Sequence, residues 1–192
     1  MDDLIIINDN RPTRADAVRN RDHILQVARD LLDAQGVETV TMSAIALEAG
    51  VGKGTLYRNF PDKLSLCQAL LDHDQRDLQD RTLARLRKGG APLDDLLWFI
   101  EQTMTFIWRN LDMLGGEASE LQLGHPAHYW WRQTLRGLIH QIDSTVDVDF
   151  YANVLYIMID PRPIAFQLAS QSYTLDQLSG RIRDLARRLL VS

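Results

Sequence analysis

Lys53, Thr55, Tyr57, Arg58, Asn59 and Lys63 crowd cationic, phenolic and amide groups into one short stretch, KGTLYRNFPDK. An arginine can bridge guanine O6 and N7, and an asparagine can pair bidentately with adenine, so Arg58 and Asn59 have the chemistry of base readout. The phenol of Tyr57, the hydroxyl of Thr41 and the ammonium of Lys63 suit phosphate anchoring, which sets register rather than sequence. Lys53 can do either job. Leu56 and Phe60 recur at i, i+4 among these groups. That spacing predicts a helix that buries both and turns Thr55, Arg58 and Asn59 outward, with Lys53 and Tyr57 flanking them.

Such groups act only if a rigid element presents them. Upstream, Ile45, Ala46 and Ala49 fall on one face of a second short helix, and Gly50 hinges it to the first. Thr41 or Ser43 can cap that upstream helix through its hydroxyl. Gly52 leaves the downstream helix without a side-chain cap, at a cost of a few tenths of a kcal/mol. Pro61-Asp62 stops the downstream helix, and Asp62 caps the next. Two short helices joined by a tight glycine turn, the second polar outward, form the helix-turn-helix arrangement for a major groove.

The run Thr41-x-x-x-Ile45-Ala46-x-x-Ala49-Gly50-Val51-x-x-Gly54-Thr55-Leu56-Tyr57-x-x-Phe60-x-x-Lys63 resembles the TetR family of bacterial regulators. Ile24 to Gly36 resembles that family's first helix, and the likeness covers residues 19–70. It implies that Thr41, Lys53, Thr55, Tyr57, Arg58, Asn59 and Lys63, with Ser43 beside them, face a double-stranded DNA operator. It also implies a homodimer reading a palindrome, an unidentified small-molecule effector and a repressor's role. Gly52 stands where the family often has serine, which removes one phosphate-binding hydroxyl.

A chain of 192 residues with 45% hydrophobic and 24% charged residues has ordinary globular composition. No apolar run approaches the roughly 18 residues of a membrane span. The opening MDDLIIIND is acidic with only Leu4 to Ile7 apolar, which predicts no signal peptide. The single cysteine, Cys67, excludes an internal disulfide and fits a cytoplasmic protein. The net charge is −5, but residues 11–65 carry eight basic against seven acidic groups. So even a module implies contacts placed one by one rather than a basic cloud.

The pattern along the chain is all-α: a flexible arm at 1–12, a DNA-binding domain at 13–62, and a helical effector-binding and dimerisation domain at 63–192. Thr13 with Asp16, or Asn20, can cap the first helix; Arg14, Arg19 and Arg21 at its start can meet a phosphate or simply face solvent. A long helix is expected from Lys63 to Lys88, with Leu64, Cys67, Leu70, Asp74, Leu78 and Leu86 on one side and His73 salt-linked to Asp77 and Asp80. Further helices follow at Leu93–Asn110 and from Pro126. The segment from Phe150 to Ile159 is apolar on nearly every side, which predicts burial all round, and Asp160-Pro161-Arg162-Pro163 interrupts it. A final helix runs Leu175–Leu190.

Candidate pocket residues are Trp98, Met104, Trp108, Met113, Tyr129 and Trp131, with core filling as the alternative reading. The resemblance implies a dimer bundle from the last two long helices, placing Val154, Leu155, Met158, Leu178, Ile182 and Leu185 there, or else in the core. Glu117, Glu120, His125 and His128 have an E-x-x-E, H-x-x-H spacing, but surface or ligand hydrogen bonding is preferred over a metal site. No Ser-His-Asp, Walker or dinucleotide signature and no cofactor motif appears, and Cys67 lies on an apolar stripe without a base beside it. The rival classes are a small helical enzyme, a ligand-binding protein without DNA activity, and an activator of the same fold.

Overall fold

Glycine, proline and capping side chains set the helix ends in this chain. The computed structural model describes residues 14–114 and 126–191, and side chains from Asp16 to Leu114 and from His128 to Val191. Among these residues the elements are all helical. They are α1 Arg14–Gln35, α2 Met42–Glu48, α3 Lys53–Asn59, α4 Lys63–Leu86, α5 Pro92–Arg109, α6 Leu111–Leu114, α7 Pro126–Ile142, α8 Val148–Met158, α9 Pro161–Ser170 and α10 Leu175–Leu190. The chain divides into two units at Leu66/Cys67, within α4.

In the amino-terminal unit, α1 packs on α2 and α2 on α3. Ile24, Ala28, Ile45, Ala46, Leu56, Phe60 and Leu66 are at most 2% exposed and form its core. Thr41 caps α2 by accepting from the Ala44 N–H at 3.2 Å, so of the two hydroxyls considered it is Thr41 that caps. Asn20 lies inside α1 and caps nothing, while Thr13 lies outside the described residues. Asp62 accepts from the Ser65 N–H at 2.7 Å, and that bond together with the Ser65 hydroxyl holds its carboxyl below the usual range.

The turn between α2 and α3 rests on Gly50, whose φ is +64°. A Cβ there would touch nothing, so only backbone strain opposes a side chain. Gly50→Ala is therefore expected to destabilise this unit by about 1–2 kcal/mol, the left-handed penalty for an L residue. Chemical denaturation followed by circular dichroism would measure it, and an unchanged midpoint would show that the turn relaxes to another conformation.

In the second unit α5 is the most enclosed helix, with Leu96, Phe99, Ile100, Thr103, Met104 and Ile107 all at 0% exposure. It packs on α7 and α10, and α7 packs on α8. Leu78, Leu135, Ile139, Leu155, Ile159, Ile164, Leu178 and Ile182 complete the core. Buried Asp95 is paired with Arg85 at 2.7 Å. Thr174 and Gln177 close a reciprocal capping box at the start of α10.

Three expectations differ from the structure. The segment from Phe150 to Ile159 is not buried all round: Phe150 is 60% and Ile157 61% exposed, while Ala152, Leu155 and Ile159 are buried in the core with Tyr151, Tyr156 and Met158 packed partly against it. The interruption at Asp160–Pro163 is present, between α8 and α9, and Pro161 occupies the first turn of α9, capped by Asp160, where a missing N–H costs nothing. On α4, Leu64 is 49% exposed, whereas Leu66 is fully buried. His73 lies 3.7 Å from Asp74, its chain neighbour, and Asp77 pairs with Arg81 instead.

Candidate nucleic-acid interface

The outward face of α3 is built on a buried floor. Leu56 and Phe60 are 0% and 1% exposed, and Gly52 caps the helix without a side chain while its carbonyl accepts from Thr55 and Leu56. Above that floor Lys53, Gly54, Tyr57 and Arg58 are exposed, Tyr57 by 47%, and Thr55 and Asn59 are partly buried. Thr41 and Ser43 are exposed at the start of α2, and Lys63 is partly buried at the start of α4.

The base-reading pair is engaged with its own helix. Arg58 Nε donates to Gly54 O at 3.1 Å and Nη2 to Thr55 Oγ1 at 3.2 Å, both at the surface. Asn59 Nδ2 donates to Thr55 O at 2.9 Å in a partly buried position. Arg58 can exchange those bonds for a base edge at little net cost, since water competes for them already. Asn59 is less free than its sequence position implied, because the amide donor needed for adenine already has a partner.

Two side chains of α1 brace this face. Arg21 Nη1 donates to the Asn59 carbonyl at 3.1 Å, and its guanidinium stacks 4.3 Å above the Phe60 ring. His23 Nε2 lies 3.2 Å from the Ala49 carbonyl at the end of α2. Arg21 thus satisfies a helix-terminal carbonyl, where the sequence suggested a phosphate or solvent. Arg19 pairs with Asp16 at 2.5 Å. Neither brace is signalled locally, since each spans more than two dozen residues.

The candidate pocket residues scatter. Met104 and Met113 are core-facing, at 0% and 6% exposure, and Trp131 is 3% exposed with its indole N–H donating to Gln75 Oε1 at 3.0 Å. Trp98 is partly buried beneath the Arg85 guanidinium, 5.0 Å away. Trp108 and Tyr129 are 50% and 66% exposed and line no interior, because their helices turn those positions outward. Trp130 and Trp131 both meet α5, edge-on to Phe99 and Phe106 respectively. Gln75 and Phe106 carried no sequence signal.

Of the E-x-x-E, H-x-x-H set only His128 is described; Glu117, Glu120 and His125 lie outside the described residues. His128 Nδ1 is 2.5 Å from the Tyr156 hydroxyl. Burial, and then Asp160, raise the Tyr156 pKa and keep the phenol protonated. Burial works against the Asp160 carboxylate, but hydrogen bonds and charge from Arg162 outweigh it and lower its pKa.

Of the candidate interface residues, Leu155, Leu178 and Ile182 belong to the chain's own core, at 0%, 3% and 3% exposure. Val154 and Met158 are partly buried, and Leu185 is 40% exposed. Phe150 and Ile157, with Val154 between them, form a second apolar face of α8 opposite its core-facing residues.

Residues 24–70 match the family model described as bacterial regulatory proteins, tetR family. An HTH-type transcriptional regulator of Staphylococcus aureus, SAB2452, is 48% identical over 61 residues, which are 32% of this chain and 33% of that protein. The chain thus spans about a third of the length of the curated relatives it matches. A TetR-family transcriptional regulator from Pectobacterium atrosepticum superposes with a TM-score of 0.73 at 18% identity, over 94% of this chain and 98% of that one. A Saccharomonospora viridis protein solved in complex with choline gives 0.74 at 21% identity, over 91% and 99%. At these identities the two structures speak for the fold.

Proposed function

We propose, from the premise that this chain belongs to the TetR family of bacterial regulators, that it is a cytoplasmic, ligand-responsive repressor that binds a palindromic operator as a homodimer. The observation that carries this reading is α3: Lys53, Tyr57 and Arg58 stand exposed over a floor of Leu56 and Phe60. One such helix covers too few base pairs for tight specific binding. A two-fold pair with reading helices roughly 34–36 Å apart would engage successive major grooves. The second apolar face of α8 supports such pairing.

Regulation follows as a population shift. α4 begins in the DNA-binding unit and continues in the second, so an effector held among the carboxy-terminal helices can act on the separation of the two reading helices. The effector must bind the two arrangements unequally, or nothing shifts.

The test is footprinting on DNA flanking the protein's own coding region, followed by titration of any protected palindrome. Tyr57→Ala with Lys63→Ala is expected to weaken binding about tenfold across operator sequences and to lower the salt slope by about 1. Unchanged affinity and slope would remove this face from DNA recognition.

A further inference from the structure

Among the described residues of the second unit four buried polar atoms lack hydrogen-bond partners, on Gln75, Thr103, Ser179 and Arg183, and the first two sit on helices that Trp131 touches. Trp131 can only donate, so its bond to Gln75 Oε1 fixes which end of the Gln75 amide faces the indole. Gln75 Nε2, with two donors, is therefore turned away from Trp131. The residue is 6% exposed, and Nε2 has no hydrogen-bond partner. The second group is Thr103 on α5, at 0% exposure with Oγ1 also unpartnered. A threonine inside a helix usually bonds the carbonyl one turn back. Thr82, Thr105 and Thr134 all do so here, at 2.7, 3.0 and 2.9 Å, and Thr103 does not.

Both groups lie on helices that meet one aromatic residue, Trp131. Phe106 lies one turn beyond Thr103 on α5, and its ring meets Trp131 edge-on at 5.5 Å. Trp131 in turn holds Gln75 on α4. Among the described residues the buried carboxylates of this unit are already matched, Asp95 by Arg85 and Asp160 by Arg162. A charged guest would have to give up its hydration against an uncharged amide and hydroxyl, whereas a neutral acceptor would satisfy an amide whose isolation is costly.

We infer that Gln75 and Thr103 are the polar anchors of the effector site, and that they select a neutral, largely apolar molecule carrying a carbonyl-type hydrogen-bond acceptor. The Gln75 amide donates to that oxygen, the Thr103 hydroxyl supplies a second polar contact, and Phe106 and Trp131 form the apolar wall. This rests on the reading of the carboxy-terminal helices as effector-binding.

The experiment is a ¹⁹F NMR titration of the full-length free protein with four probes of one shape: 4-fluoroacetophenone, 4-fluoroethylbenzene, 4-fluorobenzoate and 4-fluorobenzyltrimethylammonium. The ketone is expected to bind about 3- to 10-fold more tightly than the carbonyl-free probe, the range of one neutral hydrogen bond. That gap should close in Gln75→Leu/Trp131→Phe, which removes donor and acceptor together and leaves no new orphan. It should narrow in Thr103→Val, a change small enough to fold even where the double variant does not. Equal binding of ketone and ethylbenzene, a gap that survives in the variants, tighter binding of the benzoate or the ammonium, or no binding at all would each overturn the assignment. Because no DNA is present, a wild-type gap that closes in the variants, found together with a lack of operator binding, would sink the repressor reading and leave the anchors standing.

Discussion

Phe60→Ala is expected to cost about 3–5 kcal/mol, the range for emptying a buried phenylalanine site. The ring is 1% exposed, and its removal also takes the surface on which Arg21 stacks, loosening the guanidinium that satisfies the Asn59 carbonyl. A loss of that size is comparable to the whole stability of a small domain. Operator binding should vanish with it. Hydrogen exchange read by mass spectrometry would locate the effect: amides of α1 to α3 lose protection, while those of α5, α7 and α10 keep theirs. Phe60→Leu should retain most of the stability, since it fills much of the same volume. Full protection of α3 in the alanine variant would mean that Leu56 alone holds the reading helix.

Phe150→Asp combined with Ile157→Asp is expected to convert the proposed dimer into a folded monomer. Both side chains are about three-fifths exposed, so the chain's own core should not register the change, and substitutions at such sites usually shift stability little. Placed in an apolar interface between copies, two uncompensated carboxylates would face two more across the symmetry axis. Sedimentation at micromolar concentration should show half the mass. Operator affinity should fall by at least a hundredfold, because each half-site would then be bound alone. A double variant that remains dimeric would exclude this face of α8 as the interface. The core-facing Leu155, Leu178 and Ile182 offer no comparable test, since changing them would unfold the unit itself.

The sequence by itself determined most of the helices and their order, though not α6 or α9, because most of their ends are local chemistry. Gly36 and Gly50 adopt positive φ, and Asp62, Thr174 and Pro161 cap or open helices as their side chains dictate. α10 spans Leu175–Leu190, the same bounds that its apolar spacing predicts. The buried pair Leu56 and Phe60 was equally legible, as were the exposed Lys53, Tyr57 and Arg58, since i, i+4 spacing assigns faces within one short helix.

Only the tertiary structure decided which face of an all-apolar helix is inside. α8 is apolar nearly all round, so no periodicity could say that Leu155 is core and Ile157 surface. Its packing against α7 settles that. The same holds for partners distant in sequence: Arg21 with Asn59, and Trp131 with Gln75, lie 38 and 56 residues apart. A side chain's local neighbours show what it can bond. The choice among distant partners is made by packing, and so Trp131 became a donor to Gln75, not an isolated aromatic. Lys53 to Lys63 marks the proposed DNA-reading surface from residue types alone; the bracing of Arg58, Asn59 and Phe60 comes from α1 and from bonds within α3.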